Sequence, residues 1–432
     1  MNSINLTLIL YLTTIYRRKY IKLNYFYLKI SSSFLVFLFL ISGCVNSQQD
    51  LKTVKSAISN KTIVVGAKRI QSYISILENK SVGIVGNQTS MVDDVHLVDT
   101  LLRLGVDVKM VFAPEHGFRG EADAGEKVVD GKDPVSGLPI KSLYGKKNRK
   151  PSPETLADID VLIFDIQDVG VRFYTYISTM HYIMEACAEQ QKLMIVLDRP
   201  NPNGFYVDGP VLKPQNSSFI GLHPVPVVHG MTIGEYAKMI NGQGWLNNGI
   251  KCELKIIRCE NYTHLDYYKL PVNPSPNLPN MSSIYLYPSL CLFEGTNVSV
   301  GRGTSFPFQV YGSPYIEKTS FYFTPKPSFG AKYPKHNGSK CYGYDLRVYG
   351  DSIFKYEKKF KVDWVLSMRK LSKNKDEFFR EDGFFRLLTG DTSIRKMIEE
   401  NKSANEIWMS FQPEVQQFKT VRKKYLLYPD FE

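Results

Sequence analysis

The chain has 432 residues, with 54 Lys or Arg against 42 Asp or Glu, for a net charge of +12. That length suffices for one large core or two ordinary ones. The basic excess is spread too thinly for a nucleic-acid binder, and the six cysteines show no metal-ligand spacing.

Residues 1–44 read as an address. Arg17, Arg18, Lys19, Lys22 and Lys29 make a basic n-region, and Phe34 to Ile41 is an apolar core too short to span a bilayer. Ile41-Ser42-Gly43-Cys44 resembles a bacterial lipobox. The expectation is cleavage before Cys44, a lipid on that cysteine, a polar tether over 45–60, and a periplasmic or outer-membrane-associated place in the cell envelope. Cleavage removes five cations and no anions, so the charge falls from +12 to +7. A moderate positive balance suits a membrane surface or a cell-wall glycan. Of the remaining cysteines, Cys187 and Cys291 sit in apolar surroundings and read as buried thiols. Cys252 and Cys259 flank a strand and are free either to pair or to stay reduced, since nothing in the sequence demands a disulfide.

Thr62 to Val65 and Ser81 to Val85 are short β-branched runs, with a helical pattern over Ile70 to Leu77 between them. A second helix is predicted from about Asp94 to Leu104, where Val95, Val98, Leu101 and Leu102 share one face. Strand Val106 to Phe112 leads into a long loop, 113–153, rich in Gly, Pro and Lys; loops of that length carry function or lack order. Val161 to Phe164 and Leu193 to Leu197 are apolar strands separated by a helix over Thr175 to Gln190. Helix Thr232 to Ile240 and strand Leu254 to Ile257 follow. Apolar strands alternating with helices predict a parallel sheet covered on both faces. The five prolines between Leu270 and Pro288 argue against a regular element and mark a domain junction. Beyond it, strands are predicted at 308–311 and 344–348, and helices at 362–371 and 393–401.

The chemistry concentrates where strands end. Pro114-Glu115-His116-Gly117-Phe118-Arg119-Gly120-Glu121 follows one strand, Asp165 another, Asp198 a third. In a parallel sheet these loops leave the same rim, where open α/β sheets bind ligands. Asp168, Arg172, Arg199 and Asn201 lie in the same loops. Asp165 and Asp198 also suit turn caps, with Arg172 and Arg199 as their partners. His181 reads as structural, while His229 stands in a loop. A second run, Glu294 to Thr304, places Glu294, Asn297 and Arg302 among glycines that allow close backbone approach. No cofactor is called for: the glycines complete neither a Walker loop nor a dinucleotide fingerprint.

Four stretches together carry a resemblance. They are Pro114 to Gly120, Phe164-Asp165-Ile166-Gln167-Asp168-Val169-Gly170-Val171-Arg172-Phe173-Tyr174-Thr175-Tyr176, Asp198-Arg199-Pro200-Asn201-Pro202, and Glu294-Gly295-Thr296-Asn297. The chain from about Gln71 onward resembles the NamZ-type exo-β-N-acetylmuramidase family. The resemblance implies a Rossmann-like α/β domain, assigned to 61–275, and a smaller α/β or α+β domain, 276–432, that closes the cleft. It also implies release of N-acetylmuramic acid from the non-reducing ends of peptidoglycan fragments, in cell-wall turnover or recycling.

Glycoside cleavage needs a proton donor and a second group at the anomeric carbon. Glu115 is the expected acid, oriented by His116 and Arg119; Glu121, Asp165, Asp168 and Glu294 compete for the second role. Tyr174, Asp198, Asn201 and Asn297 complete the expected binding set. Arg172, Arg199 or Arg302 is expected to hold the lactyl carboxylate of muramic acid. Two rivals remain at this point: a metallohydrolase using Asp165, Asp168, His116 and His229, and a lipid-anchored wall-binding module without turnover.

Overall fold

The computed structural model describes residues 62–115, 117–119, 130–145 and 149–432, the side chains of 351–355 excepted. The signal segment, Cys44, the tether, His116 and Glu121 lie outside the described residues. The described chain from Ile63 to Glu432 is one compact unit.

The chain enters through three 3-10 turns, Gly66–Lys68, Ile70–Ser72 and Ile74–Ile76, where a single α-helix was predicted. The Val64 region forms only an isolated bridge to Glu260 rather than a strand. Strand β1 (Ser81–Gly86) follows, then a two-residue hairpin, β2 (Met91–Val92) and β3 (Val95–His96). Asp93 takes a positive φ of 54° in its turn. The hairpin delays helix α1 to Leu97–Arg103, whose first turn is capped by His96 rather than by an aspartate. Next come β4 (Asp107–Ala113), β5 (Gly131–Lys132), β6 (Pro139–Ser142), the short α2 (Pro153–Leu156), β7 (Val161–Asp165), α3 (Tyr176–Glu189) and β8 (Leu193–Leu197). Helix α4 (Ile233–Gly242) opens with a capping box of Thr232 and Glu235, and β9 (Leu254–Ile257) ends this part.

The seven strands run in the order β5-β6-β4-β1-β7-β8-β9. Every adjacent pair is parallel except β5 with β6. The chain steps from β1 outward to β4 and β6, then returns to β7 on the other side and continues to β8 and β9. This is the Rossmann-like order, and it places the switch point beside β1. Side-chain alternation sorts the strands into two cores. Val85, Phe112, Leu162, Phe164 and Val196 pack on one face with residues of α3 and α4. Ile84, Val111, Ile163, Ile195 and Leu197 pack on the other with α1 and the 3-10 turns. A strand buried on both sides has no polar face, which is why these segments read as unbroken apolar runs.

The proline-rich run stays irregular only to Pro279. Asn280 then caps helix α5 (Met281–Leu290), which carries Pro288 near its end. The last part holds a small antiparallel sheet, ordered β10-β12-β11 and built from β10 (Val310–Ser313), β11 (Phe321–Phe323) and β12 (Cys341–Asp345). Around it stand α6 (Arg347–Tyr356), α7 (Asp363–Leu371), α8 (Phe384–Thr389), α9 (Thr392–Glu399) and α10 (Ala404–Arg422). Helix α10, the longest, lies beyond the elements the periodicity predicted. Its Trp408 and Gln412 donate to the buried Asp208 at 3.0 Å each, fastening the end of the chain to its first half.

Of the two outcomes left open for Cys252 and Cys259, the structure shows both thiols free. They stand at opposite ends of β9, where Cys259 Sγ donates to the Asp198 carbonyl and Cys252 Sγ to the Glu253 carbonyl. No helix among the described residues is long and apolar enough to cross a membrane.

Candidate functional site

The rim at the C-terminal ends of the parallel strands gathers the loops that carry the acids. Parallel register sets Gly86 of β1 opposite Asp165 of β7 and Val85 opposite Phe112 of β4. The residues that follow these strands therefore emerge side by side: Asn87, Glu115, Gln167 and Asp168.

Glu115 is half-buried, and hydroxyl donors reach both of its oxygens. Tyr144 Oη donates to Oε1 at 3.1 Å and Thr175 Oγ1 to Oε2 at 2.8 Å. Thr175 occupies the N-cap position of α3 without capping it. Its hydroxyl turns outward to the carboxylate instead, an exception to the usual local use of a threonine there. Beneath this pair lies a tyrosine cluster. Tyr176 Oη accepts from Asn87 Nδ2 at 2.9 Å. Tyr174 stands edge-on to Tyr176 and to Tyr287, with ring centroids 4.9 and 5.8 Å apart, and gives its hydroxyl to the Pro274 carbonyl. Burial, and then the negative charge and hydrogen bond of Glu115, push the Tyr144 hydroxyl well above its ordinary value, so it acts as a donor throughout the neutral range.

Asp168 is buried. Its Oδ1 accepts from Gly170 N at 2.6 Å, while its Oδ2 has no hydrogen-bond partner among the described residues. Burial raises its carboxyl to about 7 against the pull of the Gly170 and Val169 amides. The Gly170 turn that presents it has a φ of +75°, and a Cβ there would stand 2.1 Å from Asn201 Oδ1, so only glycine fits. Nearby, Gln88 Oε1 and Gln167 Oε1 are also buried without partners. Unsatisfied buried acceptors are uncommon, and here they follow β1 and β7, the strands that flank the switch point.

Several expected site residues serve the scaffold. Asp165 is fully buried, and both its oxygens are held by Arg199, Nε to Oδ1 at 2.6 Å and Nη2 to Oδ2 at 2.8 Å. Arg199 Nη2 also donates to the Met91 carbonyl. Asp165 and Arg199 thus form a buried ion pair that joins two strand ends, a scaffold use beside the catalytic role expected of Asp165 and the carboxylate-binding role expected of Arg199. Asp198 accepts from Gly234 N, Arg199 N, Thr232 Oγ1 and Tyr428 Oη, joining the start of α4 to the chain terminus. Burial lifts it to about 6 in spite of these donors. Arg172 is a buried rivet rather than a partner of either aspartate: its Nη atoms donate to the carbonyls of Pro210, Val225 and Leu388. Asn201 holds the Met231 carbonyl and Asn203 N.

Arg119 does not orient Glu115 as expected. It makes a bidentate pair with Asp133, at 3.0 and 2.7 Å. Burial opposes ionisation there, yet Arg119 and Ser136 hold the Asp133 carboxyl down to about 2. Arg302 pairs with Glu294 at 3.0 Å and lies 4.9 Å from the Phe308 ring. Burial works against the Glu294 charge, but Arg302 and Lys335 together hold it below the usual carboxylate range. Glu115 and Arg302 both act electrostatically on the Tyr287 hydroxyl, with opposite sign, so the second motif run borders the same tyrosine cluster. Asn297 supports its own segment: its side chain reaches the Glu377 carbonyl, and its backbone carbonyl accepts from His336 and Ser313.

His229 is a core residue whose Nδ1 accepts from Met231 N; burial, with Arg422 and Arg172 nearby, lowers it to about 3. His181 hydrogen-bonds His223 at 3.0 Å. Among the described residues no group of three or more His, Cys, Asp or Glu converges to hold a metal ion; His116, a member of the expected set, lies outside them.

The sequence reading passed over Asn87, Tyr144, Thr175, Arg149 and Phe219. Asn87 was accessible to the same logic as the acids, since it follows the central strand directly. Tyr144 and Arg149 sit in the long loop, where no periodicity marks position.

The comparisons with known proteins agree with this architecture. Residues 82–282 match the family model for the N-terminal part of exo-β-N-acetylmuramidase NamZ, and 285–428 the model for its C-terminal part. The chain is 39% identical over 377 residues to the peptidoglycan β-N-acetylmuramidase NamZ of Bacillus subtilis (strain 168), covering 83% of this chain and 89% of that one. Two crystal structures of DUF1343 family proteins from Bacteroides fragilis NCTC 9343 superpose on it. One has a TM-score of 0.79 at 46% identity, covering 86% of this chain and 100% of the other. The second has a TM-score of 0.71 at 28% identity, covering 85% and 99%. The strand order, the loops converging on Glu115 and the matches over both halves lead to one assignment: this chain is a glycoside hydrolase of the NamZ exo-β-N-acetylmuramidase family.

Proposed function

We propose that the protein removes N-acetylmuramic acid from the non-reducing ends of peptidoglycan fragments and serves in turnover of the cell wall. The observation that carries the reading is Glu115. It is a half-buried carboxyl held at both oxygens by Tyr144 and Thr175, on the same rim as Asp168, whose second oxygen has no partner among the described residues.

Cleavage of a glycosidic bond passes through a transition state with positive charge at the anomeric carbon and negative charge building on the leaving oxygen. Glu115 delivers the proton to that oxygen, and the Tyr144 and Thr175 hydroxyls fix its direction and stabilise the carboxylate left behind. Of the acids that compete for the second role and lie among the described residues, Asp165 is committed to Arg199 and Glu294 to Arg302. Asp168 remains, with an oxygen unengaged and a carboxyl poised near neutrality. Its role is to answer the positive charge of the transition state.

The site works at the envelope in this reading, with the enzyme held to a membrane by a lipid on Cys44 and residues 45–60 as tether. The basic n-region, the short apolar core and the Ser-Gly-Cys sequence support that placement. Incubating the protein with a chromogenic β-N-acetylmuramide, and with a disaccharide ending in muramic acid, tests the activity. Release of free N-acetylmuramic acid is expected, and no release from either substrate removes the proposal. Replacing Cys44 by Ala and fractionating cells tests the anchor: the variant is expected in the soluble fraction.

A further inference from the structure

Muramic acid differs from its glucosamine parent by a lactyl ether that ends in a carboxylate. Of the three arginines expected to receive it, Arg199 is paired with Asp165 and Arg302 with Glu294, and Arg172, whose Nε also lacks a partner, is sealed in the core with its Nη atoms on three carbonyls. A fourth arginine is partly exposed and has no acid partner among the described residues. Arg149 lies with its guanidinium carbon 4.1 Å from the Phe219 ring centroid. Its Nε is buried and has no hydrogen-bond partner among the described residues. Its neighbour Lys150 is occupied by Glu185 and Glu189, so the local acids are already taken.

The surroundings of Arg149 suit a sugar. Phe219 stacks against Tyr182 at 6.3 Å with an interplanar angle of 18°, and meets Tyr144 edge-on at 6.2 Å. These three rings are partly exposed, as a surface for pyranose stacking must be. Tyr144 links the platform to the chemistry, because its hydroxyl donates to Glu115 and its ring contacts Phe219. Arg149 is close enough to act electrostatically on that same hydroxyl. The acid and the unpaired cation thus stand at the two ends of one aromatic pair. A muramyl ring bound there offers its glycosidic oxygen to one and its 3-O-lactyl group to the other.

A buried guanidinium N–H without an acceptor is destabilising, and a bound carboxylate relieves that cost. The stack on Phe219 keeps the planar fork flat and directed, an arrangement a lysine cannot reproduce. We infer that Arg149 is the specificity residue that receives the lactyl carboxylate, with Phe219, Tyr182 and Tyr144 as the sugar platform. This inference rests on the muramidase reading above and adds to it the basis for selecting muramic acid over N-acetylglucosamine.

The test compares two chromogenic substrates, the β-N-acetylmuramide and the same compound with its lactyl carboxylate converted to a primary amide. Wild-type protein is expected to favour the acid by roughly 100-fold in kcat/KM, the factor that corresponds to losing one charge-assisted pair. Arg149→Met is expected to bring that preference close to unity, with most of the loss in KM for the acid and little change for the amide. Arg149→Lys should restore part of it. A preference that survives Arg149→Met overturns the inference, whatever the overall rate. Calorimetric binding of free N-acetylmuramic acid against N-acetylglucosamine supplies a readout that needs no turnover. If the wild type cleaves neither substrate, the activity reading fails, while loss of muramic acid preference in Arg149→Met still upholds the carboxylate site and its retention still refutes it.

Discussion

Arg199→Met separates a structural pair from a catalytic one. In the wild type, Arg199 and Asp165 are both buried and share two hydrogen bonds, of 2.6 and 2.8 Å. Methionine preserves most of the volume and removes every donor. It leaves a carboxylate with no exposure to water and no hydrogen-bond donor among the described residues, since the Ser90 hydroxyl bonds the main-chain carbonyl of Asp165 and not its side chain. Breaking one side of such a pair costs about 3–5 kcal/mol, because the remaining charge is neither paired nor hydrated. Over a folded unit running from Ile63 to Glu432, an unfolding entropy near 2 cal/mol/K per residue converts that loss to roughly 4–6 °C in Tm. The assay is thermal and urea denaturation of both proteins, with kcat measured well below either transition. The expected variant melts early yet turns over within a few-fold of wild type while folded. Replacing both partners, Asp165→Leu with Arg199→Met, should regain at least half of the lost stability, since it removes the orphaned charge. An unchanged Tm with kcat lowered a thousandfold would refute the reasoning and return Asp165 to the reacting centre.

Glu115→Gln keeps the shape and loses the proton, and is expected to lower kcat by roughly 10²–10⁴ with Tm unmoved; near-normal turnover in a folded protein ends the assignment. Tyr144→Phe removes one hydrogen bond to that carboxylate and should lower kcat by about tenfold. Asp168 is set against the usual aspartate: its carboxyl is raised from 3.8 to about 7 by burial, so the folded protein holds the proton more tightly than the unfolded chain. Its contribution to stability is therefore full below about pH 4 and lost as the pH rises to about 7, by at most about 4 kcal/mol. Asp168→Asn should accordingly gain on the wild type between pH 5 and pH 8 in urea denaturation, and a difference that does not change with pH contradicts this. Gly170→Ala places a Cβ 2.1 Å from Asn201 Oδ1 at a φ of +75°; a loss of about 2–4 kcal/mol is expected, and a chemical denaturation midpoint within error of wild type would show that the turn relaxes.

The sheet was legible because its strands are buried on both faces, and Val161 to Phe164 or Leu193 to Leu197 can be read as strands from composition alone. Parallelism then brought Glu115, Asp165 and Asp198 to one rim without any coordinate. Element edges were less legible where local and tertiary demands compete. Asp93 in a left-handed turn and the Met91–His96 hairpin pushed α1 later than its apolar stripe suggests. The 66–76 segment packs against Leu197 and Ile257 in the second core and winds as 3-10 turns rather than an α-helix.

By itself the sequence determined the alternation of apolar strands and helices, the order of the motifs, and the edge of the sheet at which the acids appear. Those depend on local hydrophobicity and chain direction, which a linear string records. Only the tertiary structure decided which acid stays available. Asp165 and Asp198 look like Glu115 and Asp168 in the string, yet Asp165 is paired with Arg199 and Asp198 is enclosed by hydroxyl donors 34 and 230 positions away, whereas Glu115 is half-buried and the second oxygen of Asp168 has no partner among the described residues. Arg149 differs from Arg199 for the same reason. The use of a charge is set by what surrounds it in space, and burial and pairing are properties of the folded core that no single stretch of chain contains.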